Sequence, residues 1–191
     1  MGRDAGDARR KLNWKRAREM GKKHKTTVTH LEMTAPPRLP LVPHPPGKYA
    51  LMRAENPPVH FYRYLYDAVG RDYVWVNRKR LSDAALAQII QHPEVEIYVL
   101  YVNGVPAGYF ELDFRALPRA ELSFLGLMPE QIGSGLGSFL LREAISMAWS
   151  RETKRLIVQT CTLDHPRALP LYQRMGFTPY AQEEAVLEEI D

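Results

Sequence analysis

At 191 residues with 45% apolar residues, the chain suits one globular domain with an appendage. No apolar run is long enough to span a bilayer, the start lacks the apolar core of a secretory signal, and the single cysteine, Cys161, excludes an internal disulfide. The net charge of +4 hides a division: residues 1–30 hold ten Lys or Arg against three Asp or Glu, and residues 31–191 hold sixteen against nineteen. The body of the chain is therefore mildly acidic, with no basic stripe for a nucleic-acid backbone. A reducing cytoplasm is the expected setting.

In chain order, a charged arm comes first. Arg9-Arg10-Lys11, Lys15-Arg16 and Lys22-Lys23 leave little to bury beyond Leu12 and Trp14. Six prolines among residues 36–46 then read as a stiff, extended linker. Residues 1–46 are thus expected to stand apart, disordered or extended, with the domain at residues 47–191. The arm has two readings. One is a tether for nucleic acid or an anionic surface. The other, preferred, is a solvated tail or residues ahead of a true start at Met33.

Residues 48–53 suit a strand. Asn56-Pro57-Pro58 can open a helix that places Phe61, Leu65 and Ala68 on one face and stops at Gly70. Ser82-Asp83 caps a second helix through Ile90, closed by His92-Pro93. Residues 96–102 and 105–114 flank Asn103-Gly104, a hairpin signal because both turn positions require positive φ. A strand at 121–128 follows. Residues 136–149 form the best helix, with apolar pairs recurring every four positions. A strand at 155–163, a short helix at 166–175 ending at Gly176, and a returning strand near 185–190 complete the chain. The order is α/β, or α+β with a mixed sheet.

Between the strand at 121–128 and the best helix lies Gln131-Ile-Gly-Ser-Gly-Leu-Gly-Ser138. The first amides of a helix lack internal partners and carry partial positive charge, which suits a phosphate. Gly133, Gly135 and Gly137 remove the Cβ atoms that would hold a diphosphate away. Other phosphate loops fit badly: Ser138 stands where the dinucleotide pattern needs its last glycine, and no lysine follows Gly137. Taken alone, the glycines are equally consistent with a tight turn that serves packing.

Later, Leu171-Tyr-Gln-Arg-Met-Gly-Phe177 closes the short helix. With the glycine turn, this resembles the GCN5-related N-acetyltransferase (GNAT) superfamily over roughly residues 47–180. The resemblance implies a central mixed, mostly antiparallel sheet with splayed middle strands and flanking helices. It implies acetyl-coenzyme A in the splay; no metal is expected, because no Cys/His cluster has metal-ligand spacing. Ile132, Gly133, Ser134, Gly135, Leu136, Gly137 and Ser138 match the diphosphate loop, and Phe124, Leu125 and Leu127 fall where the pantetheine arm runs. The family's Arg or Gln at the loop's first position is Ile132 here, with Gln131 one place early. His165, next to Asp164, stands where the family often has Asn; a cap before Pro166 is preferred over a catalytic role.

Acetyl transfer to an amine needs a base for the ammonium proton, N–H donors for the oxyanion and an acid for the thiolate. Tyr172 matches the family's tyrosine near the coenzyme sulfur and is the expected acid; a phenol near pKa 10 is not far above a thiol near 8.5. Glu121 is the expected base, weighed equally against a charged strand end, with Glu111 and Asp113 as alternatives. Strand alternation puts Glu121 on one face with Ser123, Leu125 and Leu127. The oxyanion donor is expected to be main chain near Leu127, and Cys161 is not required. The aromatics Phe61, Tyr62, Tyr64, Tyr66, Tyr73 and Trp75 can build an acceptor wall, though each singly reads as core. Arg78-Lys79-Arg80 has two readings, an attraction for an acidic substrate and, preferred, a solvated face. The expected partner is a small-molecule or protein amine, with no membrane, no nucleic acid and room for a homodimer. The rivals are a non-catalytic coenzyme A sensor and a nucleic-acid-associated protein acting through the arm.

Overall fold

The computed structural model describes residues 21–38, 44 and 47–190. Expectations for the arm at 1–20 and for Pro40, Pro43, Pro45 and Pro46 lie outside these residues. The elements are β1 (Lys23–Met33), β2 (Tyr49–Arg53), α1 (Val59–Gly70), α2 (Asp83–Ile90), β3 (Val95–Val102), β4 (Val105–Asp113), β5 (Arg119–Leu127), α3 (Leu136–Trp149), β6 (Arg155–Cys161), α4 (Ala168–Arg174) and β7 (Thr178–Glu188). They form one seven-stranded sheet in the order β2-β3-β4-β5-β6-β1-β7. Every pairing is antiparallel except β5 with β6. No helix among the described residues is long and apolar enough to cross a membrane.

Local chemistry accounts for most of these elements. Asn103 (φ 52°) and Gly104 (φ 83°) take the left-handed conformation that the tight β3–β4 turn demands. Ser82 Oγ accepts the Ala85 amide at 3.3 Å and starts α2. In α3, Leu140, Leu141, Ala144, Ile145 and Ala148 pack on Leu112, Leu122 and Leu156. On the other face α1 and α2 lay Tyr62, Leu65, Tyr66, Leu86 and Ile90 over Ile97, Val99 and Tyr109. The buried stripe of α1 is Tyr62, Leu65, Tyr66 and Val69, rotated from the expected face of Phe61, Leu65 and Ala68, which share only Leu65 with it. Tyrosine rings carry the greater apolar area, and they turned the helix.

The largest departure is β1. The expected division at residue 47 does not hold, because the sheet takes in Lys23–Met33 between β6 and β7. A start at Met33 would remove this strand. Leu31 and Met33 enter the core, and the β-branched run Thr26-Thr27-Val28-Thr29 suits a pleated surface. The charge division seen in the sequence is partly resolved here: basic β1 lies on acidic β7. Lys23 faces Glu188 in register, Thr27 Oγ1 donates to Glu184 at 2.8 Å, and His30 and His24 reach Glu183 and Glu189, each at 3.1 Å. Opposite charges across strands contribute about 0.2–1 kcal/mol per pair.

Candidate active site

β5 and β6 pair only from Arg119–Arg155 to Leu122–Val158. Beyond that point β5 stays with β4 while β6 follows β1, so the two strands part. A β-bulge sits at the fork: Glu111 faces Phe124 but Leu112 faces Leu122, leaving Ser123 as the extra residue. The wedge opens into a cleft of about 560 Å³ that runs from the glycine turn to β7. Phe124, Leu125 and Leu127 line it with strand main chain that has no strand partner on the β6 side. Such an edge can accept an extended amide-bearing chain.

The bulge also corrects the expected face of Glu121. An extra residue inverts the alternation beyond it. Leu125 and Leu127 therefore pack with Leu122 on the α3 side, whereas Phe124 packs with Tyr66 and Trp75 on the α1 side. Glu121 precedes the bulge and does not share a face with Leu125 or Leu127.

At the turn, Gly133 (φ 88°) and Gly135 (φ 85°) are left-handed, and a Cβ on either would meet nothing within 4 Å. The backbone conformation, not crowding by protein, requires glycine there. Gly137 differs. Its φ is not positive, and a Cβ would make only ordinary contacts, 3.8 Å to Leu127 and 3.9 Å to Leu171. Nothing in the protein demands glycine at 137, but a ligand held against the first turn of α3 would. Among the described residues the amides of Gly133, Gly135 and Gly137 have no acceptor, while Ser134 folds inward, its hydroxyl donating to Gln131 O at 2.5 Å. Ile132 and Ser138 line the cleft, and Leu136 is buried beneath the turn. These features fit a diphosphate. Arg167, just before α4, and Arg174, its last residue, also line the cleft; neither carries a signal in the sequence beyond its place beside Leu171-Tyr172.

Tyr172 is buried, lines the cleft and rests edge-on against Phe177, with ring centroids 5.8 Å apart. Burial, and then the charge of Asp164, push its phenol well above the usual value, so it stays protonated at neutral pH. The three carboxylates named as bases all lie off the cleft lining. Glu111 is fully buried, accepts the Tyr62 hydroxyl at 2.5 Å and pairs with Arg78. Asp113 is clamped by Arg115, with contacts from 2.5 to 3.0 Å. Burial first, and the Asp113 charge second, raise the Glu121 carboxyl above the usual carboxylate range.

Arg78 does not belong to a solvated face. It turns inward to Glu111 and lies over the Phe124 ring at 5.1 Å. Lys79 and Arg80 reach Asp67 and the Glu188 carbonyl at 3.6 and 3.1 Å. The segment after α1 thus arches across to β7 and forms one wall of the cleft. Of the expected aromatics, Tyr66, Tyr73 and Trp75 line that wall. Tyr62 is core, Phe61 packs against core, and Tyr64 is exposed. Val74 in this wall is left-handed (φ 55°, ψ 41°), a conformation costing on the order of 1–2 kcal/mol. Two bonds from the next residue hold it: the Trp75 amide donates to Gly70 O at 3.3 Å, and the Trp75 indole donates to Asp164 at 3.2 Å across the cleft.

Comparison with known proteins agrees with this geometry. The sequence model of the acetyltransferase (GNAT) family matches residues 53–177. A candidate ribosomal protein bS18-alanine N-acetyltransferase of Bacillus subtilis (strain 168) is 26% identical over 98 residues, which are 51% of this chain and 64% of that relative, so less than two thirds of its length is represented. A GCN5-related N-acetyltransferase from Sphaerobacter thermophilus shares the fold at TM-score 0.64 and 14% identity, over 99% of this chain and 71% of that one. An aminoglycoside acetyltransferase from an uncultured soil metagenomic sample does so at TM-score 0.54 and 13% identity, over 67% and 87%. The structural likenesses speak for the fold alone. The family match spans both the parted strands with their glycine turn and the helix that carries Tyr172, and on it the chain belongs to the acetyltransferase (GNAT) family.

Proposed function

We propose that the chain transfers an acetyl group from acetyl-coenzyme A to an amine of a small molecule or a protein, by direct attack with both substrates bound. The observation that carries this reading is the wedge between β5 and β6. It has unpaired main chain along one side, an amide-rich glycine turn at one end and a protonated phenol inside. When bound, acetyl-coenzyme A supplies the acetyl group as a thioester. The amides of Gly133, Gly135 and Gly137 hold its diphosphate. The edge of Phe124–Leu127 pairs with the pantetheine amides, and a main-chain amide near Leu127 donates to the carbonyl oxygen. Tyr172 gives its proton to the departing sulfur. Glu121, off the lining, takes the amine's proton through intervening water. The name of the Bacillus relative puts an alanine amine of a protein among the acceptors to test. A reducing cytoplasm suits the lone thiol of Cys161, which lines the cleft.

The test is a screen of amines and alanine-initiated peptides for thiol release from acetyl-coenzyme A. At least one acceptor should raise release well above the hydrolytic background; acetyl-coenzyme A that binds yet is never turned over would leave a binding module instead. In the same assay Glu121→Gln should slow turnover most near neutral pH. The loss should shrink as pH approaches the amine's own pKa of about 10.4, where free amine is plentiful. A loss independent of pH removes the base role.

A further inference from the structure

Asp164 sits in the turn between β6 and α4 and lines the cleft. Its three hydrogen-bond partners are all neutral. Oδ2 accepts the Thr160 hydroxyl at 2.7 Å and the Cys161 amide at 2.9 Å, and Oδ1 accepts the Trp75 indole N–H at 3.2 Å. The turn therefore needs only Oδ2. Oδ1, with a single donor, keeps room for another.

The carboxylate also stands at a crossing of the two halves of the cleft. Trp75 reaches it from the aromatic wall, and its charge contributes to raising two phenols, that of Tyr172 after burial and that of Tyr73 after burial and the Asp72 charge. Tyr73 meets His165 of the same turn edge-on, with ring centroids 6.2 Å apart. A half-buried carboxylate with no cation among its partners in the described residues, bordered by an indole and a phenol, is a place where a cation gains twice. It forms a charge-assisted hydrogen bond, and it lies against aromatic faces.

We propose that Asp164 docks the acceptor amine as its ammonium, between the aromatic wall of Tyr73 and Trp75 and the phenol of Tyr172. This rests on the acetyl-transfer reading and narrows its acceptor to amines that arrive positively charged. The chemistry favours such a dock. At pH 7 an alkylamine of pKa about 10.4 is neutral in roughly one molecule in 2,500. A cleft that recognised only the neutral form would wait on a rare species, whereas a carboxylate gathers the abundant one and leaves it beside the reacting centre. Asp164 is a positioning residue in this scheme, and Tyr172 keeps its role as acid.

The test compares a charged probe with its uncharged counterpart, without any acetyl donor. The full chain is titrated calorimetrically with n-butylammonium chloride and with n-butanol at pH 7 and fixed ionic strength, and separately with coenzyme A. The native protein should prefer butylammonium by roughly tenfold or more, the scale of one charge-assisted hydrogen bond. In Asp164→Asn that preference should fall below about twofold, with coenzyme A affinity unchanged. Equal binding of the two probes by the native protein, or a preference that survives the substitution, overturns the dock. Loss of coenzyme A binding together with the preference also overturns it, because the residue would then only shape the turn. If Asp164→Asn fails to fold, Tyr73→Leu decides. It removes one aromatic face of the dock without touching the hydrogen bonds of Asp164 and should reduce the butylammonium preference severalfold without altering butanol; a preference kept at the native value refutes the proposal. No acetyl group is present, so the outcome is independent of the screen for thiol release. A chain that prefers butylammonium but never acetylates would sink the acetyl-transfer reading and leave the ammonium site standing.

Discussion

Removing residues 1–33 is expected to abolish the native sheet. β1 fills the slot between β6 and β7, which run parallel to each other and are joined only through α4. Without it, the β6 edge from Leu156 to Cys161 and the whole inner edge of β7 lose their partners at once. Leu31 and Met33 leave the core, exposing the surfaces of Leu156 and Phe177 that share it. Each fully buried side chain of this kind contributes about 1.5–3 kcal/mol, and the lost ladder adds further unpaired amides. A domain of this size has only about 5–15 kcal/mol in total. The check is a thermal and urea melt followed by circular dichroism. A truncated chain that unfolds cooperatively at the native midpoint would mean that β1 is an ornament. Leu31→Ala isolates the packing part: the side chain is fully buried, and the substitution should cost about 2–5 kcal/mol without changing the slope of the urea transition.

The second large effect concerns turnover. Tyr172→Phe should lower it by about 10²–10⁴-fold, the usual contribution of a positioned acid, with near-native coenzyme A binding and melting temperature. The separation is expected because the ring keeps its contact with Phe177, while the hydroxyl makes no hydrogen bond to any described residue. Burial and the neighbouring Asp164 charge keep the proton on the oxygen, which is the form an acid needs. Steady-state kinetics and calorimetry on the same preparation check it. Unchanged turnover would remove the acid role, and an equal loss of binding and turnover would make the tyrosine a packing residue.

Elements whose signals are local were legible in the sequence. The helix at 136–149 repeats apolar pairs on its own period, and Asn103-Gly104 can hardly be anything but a tight turn between two β-rich runs. Three alternate glycines marked a turn at the strand–helix junction, but only the Leu171–Phe177 stretch beside them suggested a phosphate site rather than a packing turn. What stayed hidden depended on distant partners. The lysines of β1 read as an arm because their acidic counterparts stand at the other end of the chain, on β7. The bulge at Ser123 leaves no mark in composition, yet it reverses the face of every side chain after it and so misplaced Glu121 relative to Leu125. Arg78 looked like one of three solvated cations, because Glu111, which draws it inward, lies far along the chain on β4. Asp164 was visible as a turn cap, but its bond to Trp75 comes from a wall far away in the chain.

The most direct measurement is coenzyme A affinity in Gly137→Ala, read by calorimetry beside a thermal melt. The protein itself tolerates a methyl group there, and alanine favours a helical position over glycine by up to about 1 kcal/mol. The variant should therefore melt at or above the native temperature while binding coenzyme A at least roughly tenfold more weakly, as the diphosphate is pushed from the amides. Native affinity in a protein carrying that methyl group would mean that no diphosphate touches the turn, and the cleft would then have some other use.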